Sequence, residues 1–306
     1  MTTDIAALNG KFGIDGQIAF KAGPGDLVSV EITNAHARAA VALQGGHVYQ
    51  FQPHGAPPVL WLSRLSRYTP GKAIRGGIPI CWPWFGPHPD DQRKPAHGFA
   101  RTLPWTVLST AVEAGGATQL QLGLQDTPEI RALWPHAFDL RLAIVVGATL
   151  QIALRTRNTD TATWTYTGAL HSYFQVSDVT TVAIDGLDQT TYVDKVDAGQ
   201  RKLQHGPVTI DGEIDRVYLA TAAATTLRDP GGQRQIMIAK TDSRSTVVWN
   251  PWQAKAQQLT DFGDEEFRTM LCVETANAAD DVITLQPGAE HVLGAHIAVA
   301  RGEHGS

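Results

Sequence analysis

A histidine and a glutamate are unusual in this chain because each lies inside an apolar, strand-like segment. His171 occurs in ALHSYF and Glu274 in MLCVETAN. Burying an unpaired carboxylate is costly, so a glutamate in such a run needs a specific reason. Imidazole and carboxylate groups commonly move protons in enzymes. The two residues therefore indicate acid–base chemistry.

A second informative segment is RGGIPICWPWFGPHPDDQRKPAHGFAR, which runs from Arg75 to Arg101. It places Arg75, His97 and Arg101 among glycine, proline and tryptophan, a composition that disfavours a helix and is typical of a rigid loop. Residues 51–101 contain seven basic and two acidic side chains, so this segment carries +5 and the remainder of the chain −10. Such a segment could hold an anionic group of a small substrate.

Composition and charge argue against several other classes of protein. The chain has 306 residues and a net charge of −5, which predicts neither a nucleic acid nor a membrane as partner. The longest apolar stretch, residues 142–154, is too short to span a bilayer. The start of the sequence lacks the basic and apolar regions of a secretory signal.

The cysteines and histidines indicate which cofactors and which cellular compartment to expect. Cys81 and Cys272 lie among apolar neighbours, so we expect reduced thiols and a cytoplasmic protein. His88 and His97 lie in a proline-rich loop without a matching set of ligands, and no glycine-rich nucleotide loop is apparent. We therefore expect neither a metal nor another cofactor.

The elements that must position these residues are predicted to be strands. Segments rich in β-branched and aromatic residues recur and are separated by Gly, Asp, Asn or Pro, which indicates an all-β fold. We predict strands over residues 27–32, 40–43, 59–62, 119–124, 140–146, 149–157, 163–175, 179–184, 235–238, 246–250, 270–275 and 292–300. No linker or repeat divides the chain, so a single β-sandwich domain over residues 1–306 is expected.

Turn and helix signals are few. Gly147-Ala148 predicts a tight hairpin between two of these strands. Thr127 followed by Pro128 predicts a capped short helix that ends at about Trp134, and a second short helix is expected over residues 252–259.

Strand periodicity assigns the two ionisable residues to faces. Side chains alternate along a strand, so His171 shares a face with Ala169 and Tyr173. Glu274 shares a face with Cys272 and comes near the end of its strand. Both positions fit the wall of a groove in a sheet.

Several motifs in fixed order resemble the glucose-6-phosphate 1-epimerase family of the aldose 1-epimerase superfamily. They are AIRGGIPICWPWFG, HGFAR, DTPEIRALWPHAF, ALHSYFQVSD, DRVY, VVWNPWQAKA with DFG, and CVETAN, spread over residues 45–277. The resemblance implies a galactose-mutarotase-like β-supersandwich and a cofactor-free interconversion of the α and β anomers of a hexose 6-phosphate.

The resemblance also implies roles for individual residues. His171 and Glu274 would be the catalytic pair, with Glu274 the base and protonated His171 the acid. Asp215 of DRVY would contact sugar hydroxyls. The pocket would be lined by Arg75, His97 and Arg101. Lys72, just before the IRGG motif, would help to bind the phosphate. Trp84 stands where some members carry a polar residue, so a side-chain amide contact is not expected there.

Structural alternatives remain open for each of these residues. His171 could be a hydrogen-bonded core histidine, Glu274 could pair with an arginine, and Asp215 could pair with its neighbour Arg216. Arg75 could brace its own loop. For the protein as a whole, a mutarotase for unphosphorylated aldoses and a carbohydrate-binding or regulatory protein without turnover remain alternatives. We expect a monomer.

Overall fold

The computed structural model describes residues 4–302, and strands dominate it. In chain order they are β1 Ile18–Ala22, β2 Val28–Thr33, β3 Ala37–Ala42, β4 His47–Pro53, β5 Ile80–Cys81, β6 Thr106–Val112, β7 Thr118–Gln125, β8 Phe138–Val146, β9 Leu150–Asn158, β10 Trp164–Tyr166, β11 Gly168–Leu170, β12 Tyr173–Gln175, β13 Ala183–Asp185, β14 Thr191–Asp194, β15 Gln200–Leu203, β16 Val208–Thr209, β17 Ile214–Tyr218, β18 Thr225–Asp229, β19 Arg234–Thr241, β20 Ser245–Asn250, β21 Met270–Asn277, β22 Ile283–Leu285 and β23 Glu290–Arg301.

The helices in the described part of the chain are short: α1 Ile5–Phe12, α2 Pro128–Leu133 and α3 Trp252–Ala256. Short 3-10 turns cover Pro24–Asp26, Ala100–Thr102 and Glu266–Thr269. Helices α2 and α3 confirm the two predicted helices. None of the helices in residues 4–302 has the length and apolar character needed to cross a lipid bilayer.

Helix caps explain where two of the helices begin. Thr127 Oγ1 accepts a hydrogen bond from the Ile130 amide at 3.3 Å, and Pro128 occupies the first helical position as expected. Helix α1 was not predicted from the sequence. The Asp4 side chain caps it by accepting from the Ala7 amide at 3.1 Å.

Nine strands form one antiparallel sheet in the order β16-β13-β18-β19-β23-β9-β8-β7-β6. Alternate residues of β9 are buried, among them Leu150, Ile152 and Leu154, as the period of two requires. The hairpin between β8 and β9 is confirmed, but Val146 pairs with Leu150, so its loop has three residues instead of two.

Eight strands form a second sheet, in which β15-β14-β17-β20-β21-β11-β5 follow one another and β12 also pairs with β21. Every residue of β21 is buried. Its Leu271 and Val273 enter the main core, whereas Met270 and Cys272 enter a second apolar cluster. Both faces of this strand are therefore covered, which explains its nearly continuous apolar sequence.

The main core joins these sheets to a four-stranded sheet of β1-β2-β3-β4, and a two-stranded sheet pairs β10 with β22. Val41, Leu142 and Val273, one from each of the three larger sheets, belong to the same buried cluster. The three larger sheets therefore share one core. The all-β architecture agrees with the sequence.

Two predicted strands are interrupted in the structure. Residues 59–62 make only isolated bridges, such as Leu60 with Phe174 and Leu62 with Gly76. Residues 163–175 are divided into three short strands, with a break at His171 and Ser172. At the break the His171 amide donates to Pro79 at 3.0 Å.

Candidate active site

His171 and Glu274 face each other across neighbouring strands. Leu170 pairs with Thr275 and Tyr173 pairs with Cys272, so the register between these pairs sets His171 opposite Glu274. The His171 Nδ1 atom lies 3.4 Å from the Glu274 Oε1 atom, with side chains 10% and 1% exposed. The structure thus brings together the two predicted catalytic residues. Among residues 4–302, Glu274 has no arginine partner of the kind considered as an alternative.

Burial sets the charge state of this pair. It raises the pKa of Glu274 well above its usual range, an effect that the charge of Lys195 opposes. Burial also lowers the pKa of His171 well below its usual range, helped by His97 and the nearby arginines. Burial therefore favours the neutral forms of both groups, an uncharged imidazole and a protonated carboxyl group. Burial opposes a protonated His171, and the roles implied by the resemblance, Glu274 as base and His171 as acid, stay a prediction.

Some polar atoms of the pair lack a hydrogen-bond partner. His171 Nδ1 and Glu274 Oε2 are buried and have no hydrogen bond to any described residue. The His171 ring stacks on Tyr173 with centroids 4.7 Å apart and planes 8° from parallel. A stacked ring in a fixed position, with unpaired atoms beside it, is suited to receive the groups of a ligand.

A cavity of about 440 Å³ opens over this pair. Five of the seven predicted site residues line it: His171, Glu274, Arg75, His97 and Asp215. Its remaining lining residues are Phe85, Gly86, Pro87, Tyr173, Lys195, Val247, Trp249 and Lys255. Such a volume is typical of a site for a small organic ligand.

Arg75 is fixed at the cavity by an ion pair and a phenol. Its Nε and Nη2 atoms each lie 3.2 Å from Asp261 Oδ1, and Nη1 donates to the Tyr173 hydroxyl at 3.2 Å. The following Gly77 has φ of 63°, and a Cβ there would lie 2.4 Å from the carbonyl oxygen of Val48. Glycine is therefore required for this loop to pass close to β4.

His97 is held by the loop that contains it. Its φ is 64°, its amide donates to the Gly86 carbonyl at 2.6 Å, and its Nδ1 accepts from the Gly86 amide at 3.3 Å. Burial, together with the nearby cationic residues, lowers the pKa of His97 to about 3. His97 is therefore a neutral lining group, with its ring 5.7 Å from that of His171.

The tryptophans of the loop belong to the core. Trp82 is fully buried, and Trp84 is 5% exposed and donates from Nε1 to the Pro95 carbonyl at 2.9 Å. Phe85 and Trp249 line the cavity. Trp249 was not singled out from the sequence, although it lies in the quoted segment VVWNPWQAKA, opposite Asp215 in the sheet register.

Asp215 pairs with a cation that sequence reasoning missed. Its Oδ1 lies 3.6 Å from the Nζ atom of Lys195, not against the neighbouring Arg216. Lys195 Nζ also lies 4.8 Å from the centre of the Phe85 ring. Lys195 follows β14, which neighbours β17 in the sheet, and no motif marks it. A second missed lysine, Lys255, belongs to the quoted VVWNPWQAKA segment and pairs with Glu213 at 2.8 Å.

Lys72 and Arg101 do not line the cavity. Lys72 is exposed, and its carbonyl accepts from Gln44 at 2.8 Å. The Arg101 guanidinium donates to the Ala96 carbonyl at 2.8 Å, although its charge is close enough to lower the pKa of His97. Arg101 therefore lies beside the cavity.

The fold neutralises part of the basic segment. Arg64 pairs with Glu266 at 3.1 Å, Arg75 pairs with Asp261 at 3.2 Å, and Arg93 pairs with Asp91 at 2.9 Å. Two of these acids lie near 260 in the chain, so the charge count over residues 51–101 overstates the positive charge that a ligand meets.

Similarity to known proteins extends over most of the chain. The sequence profile described as aldose 1-epimerase matches residues 28–297. A protein of Escherichia coli K12 named "putative glucose-6-phosphate 1-epimerase" is 39% identical over 256 residues, which are 83% of this chain and 84% of that one. A protein of Cenchrus ciliaris with the same name is 37% identical over 265 residues, with 82% and 78% covered.

Solved structures show the same likeness. A crystal structure described as a "putative mutarotase (YeaD)" from Salmonella typhimurium has a TM-score of 0.88 at 33% identity, with 95% of this chain and 96% of that chain covered. A galactose mutarotase related enzyme from Lactobacillus acidophilus has a TM-score of 0.71 at 14% identity, with 90% and 99% covered. The second likeness concerns the fold alone. Together they confirm the galactose-mutarotase-like β-supersandwich expected from the sequence.

Proposed function

Because the chain belongs to the aldose 1-epimerase family, we propose that it is an isomerase that interconverts the α and β anomers of hexose 6-phosphates. Glucose 6-phosphate is the first candidate substrate. The observation that carries the proposal is the contact of 3.4 Å between His171 and Glu274, buried in the wall of a cavity of about 440 Å³. The proposed reaction needs no cofactor.

The chemistry asks for one acid and one base beside the anomeric centre. A base removes the proton of the anomeric hydroxyl, while an acid protonates the ring oxygen. The ring opens to an aldehyde, turns about one bond and closes on its other face. Each well-placed proton transfer contributes a factor of about 10²–10⁴. A single proton shared by Glu274 and His171 is sufficient, because it returns to the pair when the ring closes.

The position of that proton decides which group acts as the acid and which as the base. With the proton on Glu274, the arrangement that burial favours, the carboxyl group would act as the acid and the neutral imidazole as the base. Moving the proton across the 3.4 Å contact to His171 exchanges the two roles. The nearby positive charge of Lys195 favours the carboxylate and assists this second arrangement.

Other lining residues have binding roles in this proposal. Asp215 would accept hydrogen bonds from sugar hydroxyls, and His97 would offer its neutral ring beside His171. Arg75 would bind the phosphate with the donors that Asp261 and Tyr173 leave unused. Arg101 and Lys72 lie outside the lining and would act on the phosphate only through their charge.

A second candidate function is mutarotation of unphosphorylated aldoses. It is favoured by the pairing of Arg75 with Asp261, which neutralises the charge that a phosphate would use. Exchange between the anomers of glucose 6-phosphate and of glucose, measured side by side by NMR saturation transfer, separates the two candidates. Faster exchange of the phosphorylated sugar supports the first.

The acid–base assignment is tested in the same assay. Glu274→Gln and His171→Ala should each lower exchange by at least about a hundredfold. Glu265→Gln and His296→Ala are matched controls at exposed positions and should retain exchange. Near-wild-type exchange in a folded Glu274 or His171 variant would remove that residue from the mechanism. Sugar binding without exchange in the wild type would favour a carbohydrate-binding protein.

The proposal includes a monomer that works in the cytoplasm on a small sugar. Reduced cysteines are consistent with this, since Cys81 and Cys272 are both free. Light scattering coupled to size-exclusion chromatography should give the mass of one chain, 33.0 kDa. A mass of twice that value would contradict the monomer.

A further inference from the structure

We propose that His171, Cys272 and Glu274 form a binding site for a thiophilic divalent metal ion, Zn²⁺ or Cd²⁺, and that the bound ion inhibits the enzyme. All three residues are buried, and their candidate ligand atoms lie within 4.8 Å of one another. The inhibitory consequence rests on the proposed function of the pair. Binding of the ion does not.

The geometry is close to what such an ion requires. Zinc binds imidazole nitrogen, carboxylate oxygen and thiolate sulfur at about 2.0–2.3 Å, which sets neighbouring ligand atoms about 3.3–3.6 Å apart in a tetrahedral site. His171 Nδ1 and Glu274 Oε1 already have this spacing at 3.4 Å. Cys272 lies on the same strand face as Glu274, so small side-chain rotations would bring its sulfur into range.

Unused bonding capacity points to a ligand at this place. His171 Nδ1 and Glu274 Oε2 are buried without a hydrogen-bond partner among the described residues. The Cys272 thiol makes a weak contact of 3.8 Å with the sulfur of Met270. Buried polar atoms normally have a partner, and their absence in one small cluster calls for an explanation. A metal ion would use one atom from each residue.

Charge balance and access also favour this ion. One thiolate and one carboxylate neutralise a divalent cation, while the imidazole contributes a neutral nitrogen. The Cys272 thiol and the Glu274 carboxyl group each lose a proton to solvent as their bonds to the metal form, and no electron is transferred. His171 and Glu274 border the cavity, which gives the ion an entry path and leaves a fourth position for water. A thiolate ligand selects Zn²⁺ or Cd²⁺ over Mg²⁺, which prefers oxygen.

The consequence for activity follows from the ligands. A metal that takes the nitrogen lone pair of His171 and the carboxylate of Glu274 leaves neither group free to transfer a proton. Cys272 does not line the cavity, so its removal should leave turnover unchanged. The enzyme would therefore work without metal and stop when a thiophilic ion binds.

Direct binding is measured first, without turnover. Metal-free protein is titrated with Cd²⁺ while the thiolate-to-metal charge-transfer absorption in the ultraviolet is recorded, and calorimetry gives the stoichiometry. We expect one ion per chain. Cys272→Ala should abolish the absorption and weaken binding at least about a hundredfold. Cys81→Ala is the matched control, since Cys81 is the other buried free cysteine, and it should retain both.

Glu274→Gln provides a second test if Cys272→Ala disturbs the core, which circular dichroism will reveal. This variant should weaken the binding of Cd²⁺ and retain the thiolate-to-metal charge-transfer absorption. An unchanged affinity in either folded variant, or absorption that is lost in Cys81→Ala, would overturn the site.

Inhibition is then measured by anomer exchange of glucose 6-phosphate. Cd²⁺ and Zn²⁺ should stop exchange in the wild type and in Cys81→Ala, but not in Cys272→Ala, and Mg²⁺ should have no effect. Stoichiometric binding at Cys272 without loss of exchange would overturn the inhibition and also contradict the catalytic pair. If metal-free wild-type protein shows no exchange, the proposed function fails, whereas the absorption titration still decides the metal site.

Discussion

Replacing Arg75 by methionine should separate phosphate recognition from sugar recognition. The guanidinium has five N–H groups, and three of them face Asp261 and the Tyr173 hydroxyl at 3.2 Å. Two N–H groups therefore remain for a ligand in the cavity. Methionine replaces the apolar stem of the arginine side chain and carries no charge, so the variant removes these donors and keeps the packing of the stem.

The size of the effect follows from the burial and the pairing of this arginine. Hydrogen bonds to charged groups contribute about 1.5–3 kcal/mol. The Arg75 side chain is 24% exposed and Asp261 already shares its charge, so the lower part of this range applies. A loss of about 1.5–2 kcal/mol corresponds to a reduction of about 10- to 30-fold in kcat/KM for glucose 6-phosphate. Exchange of glucose should change less than about threefold.

The assay is NMR saturation transfer on both sugars at two ionic strengths. Raising salt from 0.1 to 1 M shortens the screening length from about 10 Å to about 3 Å, so it should weaken wild-type turnover of the phosphorylated sugar. Arg93→Met is the matched control, because Arg93 belongs to the same basic segment but is 90% exposed and pairs with Asp91. Arg101→Ala should give a smaller loss than Arg75→Met, since Arg101 lies outside the lining. Equal losses on both sugars in Arg75→Met would refute phosphate recognition by this residue and favour the free-aldose function.

Three further predictions concern the metal requirement, the cavity lysine and a buried histidine. Dialysis against a chelator should leave exchange unchanged, because the shared proton of Glu274 needs no Lewis acid; a loss restored by Zn²⁺ or Mg²⁺ would contradict this. Lys195→Met should lower kcat/KM about two- to tenfold, since Asp215 loses its cation at 3.6 Å, whereas Lys202→Met on a neighbouring strand should have no effect. Burial lowers the pKa of His47 from 6.5 to about 4, so the folded state favours the neutral imidazole. As the pH falls from 6.5 to 4, protonation of the unfolded chain therefore lowers the stability of the fold by about 3 kcal/mol relative to pH 7. Urea unfolding at pH 7 and pH 4 should show this loss in the wild type and a smaller one in His47→Gln, and equal losses would refute it.

Much of the fold could be predicted from local pattern. Period-two alternation located most of the long strands, and the Thr127-Pro128 cap located α2. The break at His171 could not be predicted, because it depends on the hydrogen bond from its amide to Pro79, a residue about 90 positions away in the chain. Helix α1 was missed, although its Ile5, Leu8 and Phe12 recur at helical spacing and pack, partly buried, against the main core.

The candidate site, too, could be predicted only in part from local pattern. Alternation correctly placed Glu274 with Cys272 on one strand face and His171 with Tyr173 on another. That these two faces meet depends on the pairing of β21 with β11 and β12, which no local pattern reveals. Lys195 could not be predicted from local pattern, because it lies at the cavity only as a result of the pairing of β14 with β17.

The charge of the cavity illustrates why burial and partners outweigh residue counts. Seven basic residues in one segment suggested a strongly cationic pocket, yet the two acids that neutralise Arg64 and Arg75 come from residues 261–266. The unpaired polar groups at the centre of the cavity are instead His171 and Glu274, two residues in apolar sequence. Water would have satisfied both if they were exposed. Their burial disfavours the charged forms of both groups, so in the proposed mechanism one neutral group would give a proton to the sugar while the other takes one from it.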